Sequence, residues 1–333
     1  TIGPIKLNLD GTPVLDAKGA AEESYKGADV GGLARVFTGW VSGDDVAISP
    51  MRQDARFHET GAKTFLGTTI EANTDGVRSL ELAIDTLMKH PNMGPFIARQ
   101  LIQQLVTSNP GKAYVTHVAN AFNGDGVRPK GDLQATIRAI LSWPRNLMDV
   151  SLTNPRRGKL REPMVRLIQW ARTFKLQPSA ATGRYEIGDT SNDSLRLGQS
   201  PLRAPSVFNF FRPGYIPSNT SALGRLKLTA PEFDITNEVT VAAYMNFMQK
   251  VLSTGINGMR GNYTPLWPLV ANPAALLDEL NTLLAAGQIA AQTLAPLAAA
   301  LATIDITTEA GRDRRLHAAL FFVMSAPDYI AQK

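Results

Sequence analysis

Runs of apolar residues at helical spacing, each ended by a helix-breaking dipeptide or a capping residue, constrain this chain most. The first run is Val77, Leu80, Ile84, Leu87 and Met88. It stops at His90-Pro91, because proline disfavours helical backbone in the residue before it. Similar runs follow Asn92 and Asp132, which are both good N-caps, and another begins near Tyr114. Four helices joined by short loops predict an antiparallel, up-and-down bundle.

The remainder of the chain predicts one small β element and further helices. Residues 1–28 are predicted to be a hairpin and linker turning at Asp10-Gly11, 29–150 a helical bundle, and 151–333 a second helical region packed on the first or continuous with it. The helices predicted in the third part are 163–175, 231–252, 274–286, 290–302 and 308–325. Between them, "LGQSPLRAPSVFNFFRPGYIP" predicts an aromatic- and proline-rich extended segment. We find no repeat of fixed period, and the predicted fold class is mainly α.

For the helix after Asn92, the spacing of apolar residues predicts which face is buried. The positions expected to be buried are Phe96, Ile97, Leu101 and Leu105.

Composition excludes several function classes. The 333 residues include no cysteine, which rules out disulfides, thiolate metal sites and cysteine nucleophiles. The net charge of +5 is too small to predict nucleic-acid binding. The most apolar tract, 283–304, contains Gln288, Gln292 and Pro296, so no membrane span is predicted. The start at Thr1, without an initiator Met or a charged leader, predicts that the chain comes from a longer precursor.

The stretch "RFHETGAKTFLG" is the main candidate for chemistry. His58, Glu59 and Lys63 lie within six residues and would form a proton-transfer set, because histidine titrates near neutral pH. The alternative is structural. In that case His58 bonds a backbone carbonyl and Lys63 caps a helix end.

A second candidate is the basic stretch "NPRRGKLREP". Its residues Arg157, Lys159 and Arg161 lie just before a predicted helix N-terminus, an arrangement that favours an anion. The alternative is a solvated basic face. The histidines lack chelating spacing, so neither a metal site nor any cofactor is predicted.

Several motifs in fixed order resemble one family. They are "DVGGLARVFTGW", "FHETGAKTFLG", "HPNMGPFIARQLIQQLV", "GDLQATIRAIL", "KLREPMVRLI" and "LGQSPLRAPSVFNFFRPGYIP". In this order they resemble the bacterial family called domain of unknown function 1800, over nearly the whole chain. His58-Glu59 stands where the family commonly has His-Asp.

The resemblance implies export to the periplasm or outside the cell, a missing N-terminal portion of the same precursor, and a sulfatase-like partner protein. Two functions follow as hypotheses. The first is a binding or assembly component of the cell envelope that works with a partner chain. The second is a hydrolase or lyase acting on an anionic polymer, with His58 and Glu59 as acid–base groups. A nucleic-acid-binding module is not expected.

Overall fold

Helices dominate the computed structural model, which describes residues 2–44, 49–143, 154, 156–207 and 209–333. The helices are α1 Gly27–Val36, α2 Gly76–Lys89, α3 Met93–Leu105, α4 Lys112–Asn123, α5 Leu133–Leu141, α6 Pro163–Thr173, α7 Ala222–Arg225, α8 Glu238–Thr254, α9 Pro273–Ala285, α10 Ala291–Ala302, α11 Glu309–Ser325 and α12 Pro327–Ile330. Short 3₁₀ helices occur at Ala55–Phe57, Pro231–Ile235 and Thr264–Leu269. The prediction of a mainly α chain is confirmed.

The chain divides into two compact units. Unit 1 is Thr1–Leu105 with Pro110–Met148, and unit 2 is Val106–Asn109 with Asp149–Lys333. Among the helices that the structure describes, none combines the length and the apolar composition needed to cross a bilayer. The arrangement of the unit 1 helices as an up-and-down bundle stays a prediction, and so does the aromatic-rich extended segment.

Local capping chemistry sets where the helices begin. Asp75 accepts hydrogen bonds from the Val77 and Arg78 amides at the start of α2, and Asp132 caps α5 through the Ala135 amide. These side chains satisfy amides that have no partner inside the helix. The start of α8 is different from its prediction. Pro231–Ile235 forms a separate 3₁₀ helix, and α8 begins after the Asn237 cap.

The first residues form a closed ring of three short β segments, and the predicted hairpin is part of it. The Lys6 amide donates to the Glu22 carbonyl, the Glu22 amide to the Val14 carbonyl, and the Val14 amide to the Lys6 carbonyl, at 2.8–2.9 Å. These three positions are eight residues apart, and a second set of bonds repeats at the same interval. That second set is Asn8 to Thr12, Asp16 to Ala20 and Ser24 to Pro4.

The ring corrects the expectation that the chain has no repeat. The three octapeptides share their backbone hydrogen-bonding pattern but few residue identities. The repeat is therefore not visible in the amino-acid sequence. The residue that all three share is glycine. Gly3, Gly11 and Gly19 have φ between +75° and +79°, a backbone conformation that is sterically unfavourable for other residues. The predicted turn at Asp10-Gly11 is observed, with Leu7 bridged to Pro13.

Asn92 holds the ring on unit 1. Its carbonyl oxygen accepts from the Leu7 amide at 2.7 Å, and its amide donates to the Ile2 and Ile5 carbonyls at 2.9 and 2.7 Å. Helix α3 begins directly after Asn92, as predicted, but the Asn92 side-chain groups bind the ring instead of capping the helix amides.

Three antiparallel strand pairs accompany the helices in the described residues. They are β1 Trp40–Val41 with β2 Arg52–Gln53, β3 Lys63–Phe65 with β4 Thr68–Ile70, and β5 Lys159–Leu160 with β6 Ala331–Gln332. The first two pairs belong to unit 1, and β3 packs against α1. The third pair ties the residues before α6 to the end of the chain within unit 2.

Each unit has its own apolar core. In unit 1, Val36, Phe65, Ile70 and Ala83 form one cluster, and α4 packs between α3 and α5. The larger core of unit 2 gathers residues of α6, α8, α9 and α11. Its most enclosed side chains include Trp170, Met248, Leu276 and Tyr329.

The buried face of α3 differs from the predicted one. Met93, Ala98 and Ile102 are buried, whereas Leu105 is 44% exposed and Phe96, Ile97 and Leu101 are half-buried. Gly94 allows a close approach of α3 to the end of α4, since a Cβ atom there would collide with the Asn123 side chain.

Candidate functional site

His58 lies at the end of the 3₁₀ helix Ala55–Phe57 and is 9% exposed. Its Nδ1 is 3.0 Å from the Thr38 carbonyl oxygen. A carbonyl only accepts hydrogen bonds, so Nδ1 carries the proton and donates. Nε2 is 3.5 Å from Ser79 Oγ, longer than an ordinary hydrogen bond. The nitrogen available for other partners is therefore Nε2.

Glu59 contacts groups other than His58. Its Oε1 accepts from the Gly61 amide at 2.8 Å and lies 3.1 Å from Arg35 Nη2. The Gly61 amide, and then the Arg35 guanidinium, lower the pKa of Glu59 below its ordinary value. Glu59 is thus an ionised, partly exposed carboxylate that stabilises its own turn.

Lys63 is fully buried, with 0% of its surface exposed, on β3. Its Nζ donates to the Gly61 carbonyl at 3.3 Å. Burial lowers the pKa of Lys63, and the nearby Arg35 lowers it further, while Glu59 acts in the opposite direction. The lysine does not cap a helix end, which was the structural alternative.

On β1 and β2, two buried donors have no hydrogen-bond partner among the residues that the structure describes. Trp40 and Gln53 face each other across β1 and β2, and the atoms concerned are Trp40 Nε1 and Gln53 Nε2. A Cβ atom on Gly39 would lie 2.8 Å from Gln53 Nε2 and 3.0 Å from the His58 amide nitrogen. The glycine therefore lets the glutamine amide reach the backbone of His58.

Buried N–H groups ordinarily have an acceptor, supplied by protein atoms or by an ordered water. In the described part of the chain, no protein acceptor bonds to these two groups. Within the described part of the chain, no group of three or more His, Asp or Glu side chains is placed to hold a metal ion. Sequence reasoning missed Gln53, since a lone glutamine in a two-residue strand gives no motif.

The predicted anion-binding residues lie in unit 2 and have protein partners of their own. Lys159 Nζ is 3.0 Å from Glu232 Oε1, and the two side chains are 7% and 2% exposed. Burial raises the pKa of Glu232, and the Lys159 ammonium acts against that rise. Arg157 is half-buried, and its amide donates to the Asn154 carbonyl at 3.2 Å.

Arg161 is also buried, at 9% exposure. Its Nη1 donates to Gln169 Oε1 at 2.6 Å and to the Leu284 carbonyl at 3.2 Å, and its guanidinium carbon lies 4.8 Å from the Tyr329 ring centroid. Burial lowers the pKa of Arg161, and its Nε has no hydrogen-bond partner in the described ranges of the chain.

Arg166 and Glu162 complete this buried polar cluster and were not among the predicted anion-binding residues. The Arg166 guanidinium lies 3.8 Å from the Tyr244 ring centroid, and Glu162 accepts a hydrogen bond from the Gln199 amide. The one available signal was "REPMVR", in which Arg166 follows Glu162 by one helical turn.

The two predicted sets belong to different units. His58, Glu59 and Lys63 are neighbours in unit 1, while Arg157, Lys159 and Arg161 are in unit 2. Their predicted catalytic and anion-binding roles stay predictions.

One protein-family model matches the sequence of this chain. The model described as "Protein of unknown function (DUF1800)" matches residues 1–331. The chain belongs to this family. Neither the curated proteins nor the solved structures give a match. The resemblance found in the sequence is thereby confirmed, and the family carries no assigned activity in its description.

Proposed function

We propose that this member of the family is a binding or assembly component that works with a partner chain. The observation that supports the proposal is an apolar stripe on α5. Leu133, Ile137 and Leu141 are 55%, 40% and 69% exposed, although their spacing is that of a packed helix face.

In the described part of unit 1, the stripe lies outside the buried face of α5. The buried residues of α5 are Thr136, Ala139 and Ile140, on another side of the helix. Residues at positions i, i+4 and i+8 are neighbours on a helix surface, so the three exposed side chains form one continuous strip. Such strips are typical of helix-in-groove and helix–helix recognition.

The partner we propose is a second protein chain that presents an amphipathic helix. The nine residues of α5 span about 13 Å. This length matches two to three turns of a partner helix and is too short to cover a larger apolar surface. Export to the periplasm or cell surface, and a sulfatase-like protein as the partner, belong to the same proposal. They are supported by the family resemblance.

The test is a photo-crosslinking residue at Leu141 in the full chain, expressed in its native host. We expect one adduct, whose crosslinked peptide maps by mass spectrometry to an apolar helix face of another protein. Ile137→Asp should abolish the adduct, and Thr282→Asp, on an exposed position of α9, should leave it unchanged.

Three results contradict the proposal. They are no adduct, an adduct that survives Ile137→Asp, and an adduct with a second copy of this chain, which would indicate self-association.

A second candidate is a hydrolase or lyase that acts on an anionic polymer with His58 and Glu59 as acid–base groups. Two observations favour it: the one contact of His58 Nε2 in the described residues is a long one, 3.5 Å from Ser79 Oγ, and the buried Trp40 and Gln53 donors have no partner among those residues. The contacts of Glu59 with Arg35 and Gly61 weigh against it.

The variant His58→Asn separates the two functions, because its amide can still donate to the Thr38 carbonyl. If the protein is a binding component, crosslinking at Leu141 persists in this variant, and neither form depolymerises polygalacturonate. If the wild-type protein releases new chain ends from polygalacturonate and His58→Asn does not, the enzymatic function replaces our proposal.

A further inference from the structure

A groove of about 620 Å³ runs between α4 and α5 in unit 1. The two helices are antiparallel, and the Tyr114 hydroxyl at the start of α4 donates to the Ile140 carbonyl near the end of α5 at 2.7 Å. The volume lies within the range of small-molecule sites. The groove adjoins the α5 stripe but is lined by other residues of the helix.

Polar side chains line both walls of the groove. His117 and Asn120 come from α4, and Gln134, Arg138 and Ser142 come from α5 and its end. All five are exposed to solvent, and their imidazole, amide, guanidinium and hydroxyl groups can all donate hydrogen bonds. The lining therefore favours a ligand rich in acceptor oxygens.

The acidic groups of the groove are already engaged. Asp125 Oδ2 accepts from Arg128 Nε and Nη2 at 3.0 and 2.8 Å. The Arg128 amide, and then its guanidinium, lower the pKa of Asp125 to about 2, so this pair is neutral as a whole. Asp132 accepts from the Ala135 amide at 2.9 Å as the helix cap.

Asp132 and Arg138 are the two remaining charged groups of the groove, and Arg138 is its cation outside the Asp125–Arg128 pair. In the described part of the chain, no carboxylate lies within ion-pairing distance of its guanidinium, and no hydrogen bond of that group is seen. His117 lines the same groove, with its ring 5.0 Å from Trp143, which in turn stacks on Tyr114 at 5.0 Å. These ring contacts restrain the imidazole on the wall opposite α5.

We propose that this groove binds a small hydroxylated molecule that carries one oxyanion, such as an acidic monosaccharide or a sugar phosphate. Arg138 and His117 hold the oxyanion, because an arginine fork matches the geometry of carboxylate and phosphate oxygens. Asn120 and Gln134 bind the hydroxyl groups. The site is independent of the partner-binding stripe, which uses Leu133, Ile137 and Leu141.

Isothermal titration calorimetry on the full chain tests the site with D-glucuronate, glucose 6-phosphate, D-glucose and inorganic phosphate. We expect one of the two sugar anions to bind, and which of them binds more tightly identifies a carboxylate or a phosphate ligand. Arg138→Gln should weaken that binding about tenfold or more, because a charge-assisted hydrogen bond is lost. Arg172→Gln, an exposed arginine in the last turn of α6, should leave it unchanged.

Asn120→Asp is the second variant. It keeps the side-chain size and adds a negative charge to the opposite wall, so it should weaken sugar-anion binding as strongly as Arg138→Gln does. Far-UV circular dichroism checks that each variant is folded. Absence of binding, equal affinity for D-glucose or inorganic phosphate, or equal losses in Arg138→Gln and Arg172→Gln would each overturn the proposal.

Discussion

At the scale of single residues, Lys63 shows how a strand pattern can bury a charge. In β3 the exposure alternates, so that Lys63 and Phe65 point inward and Thr64 points outward. Alternation follows from strand geometry, and it places the ammonium group beside one carbonyl, 3.3 Å away. An enclosed cation with one long hydrogen bond is a net penalty to folding.

Replacing this lysine should therefore stabilise the protein. We expect Lys63→Met, which keeps the linear stem, to raise the free energy of unfolding at pH 7 by about 1 kcal/mol. Urea denaturation measures the change, and Lys18→Met, in an exposed turn, serves as the control with no expected effect. A destabilised Lys63→Met protein would show that the ammonium is needed where it lies.

The pH dependence follows from the lowered pKa of Lys63. Between that pKa and 10.5, its ordinary value, the unfolded chain binds more protons than the folded one, so this group makes stability rise with pH. The advantage of Lys63→Met over the wild type should consequently shrink as the pH approaches 10.5. A constant difference across this range would contradict the argument.

The sequence identifies reactive residue types but not their surroundings. His90 lies at the end of α2, where the helix dipole favours a charged imidazolium. Its Nδ1 instead accepts from the Asn92 amide at 3.1 Å, and burial lowers its pKa. Accepting a bond requires a nitrogen without a proton, so the imidazole is neutral. The Asn92 amide is two residues away, but Lys130 and Lys6, which also lower the pKa of His90, lie far from it in the chain.

At the scale of elements, helix ends could be predicted because their causes are local. Asp132 and the proline at the start of α6 act within one turn, and both predicted starts are observed. The strand pairs and α1 were missed. A strand of two or three residues, such as β1, has too few positions to establish a period, and its partner is fixed by tertiary contacts.

Two isoleucines three residues apart on α5 allow a matched comparison. Ile140 is 2% exposed and Ile137 is 40% exposed. We expect Ile140→Ala to reduce the free energy of unfolding by about 3 kcal/mol, through lost burial and the cavity that remains. Ile137→Ala should change it by less than about 1 kcal/mol.

Urea denaturation of both variants gives the comparison. Similar losses at the two positions would mean that the stripe is packed within the chain, and the proposed partner surface would lose its support.

At the scale of the whole molecule, unit 2 encloses several charged side chains. Lys159, Glu162, Arg161, Arg166 and Glu232 are all less than one-tenth exposed. From the sequence, Lys159 and Arg161 were expected to be available to an anion. Their burial depends on contacts with α8, α9 and α12, which lie 70 or more residues later, and no local pattern encodes those contacts.

The Lys159–Glu232 pair gives a test at this scale. We expect Lys159→Met to lower the free energy of unfolding at pH 7 by about 3 kcal/mol, because a buried carboxylate loses its cation. Glu232→Gln in the same chain should restore most of the loss. Arg203→Met, which breaks an exposed pair with Asp189, should change it by less than about 1 kcal/mol.

Acid should also rescue Lys159→Met. The pKa of Glu232 is raised in the folded protein, so the folded state binds more protons than the unfolded chain above 4.5, the ordinary value. Stability tied to this group therefore increases as the pH falls towards 4.5. Urea denaturation at pH 5 and pH 7 checks this. A loss of equal size at both pH values would show that the carboxylate is not the cause.

The octapeptide ring has a consequence for how its segment comes apart. Each of its three β segments (the arms of the ring) donates hydrogen bonds to one neighbouring segment and accepts them from the other. The last bond joins Ser24 back to Pro4. Fraying from one end, the usual first step in melting a hairpin, removes partners from both remaining arms at once. The ring therefore opens as a single cooperative event, and a protease that needs an unfolded site inside it must wait for all three arms to separate.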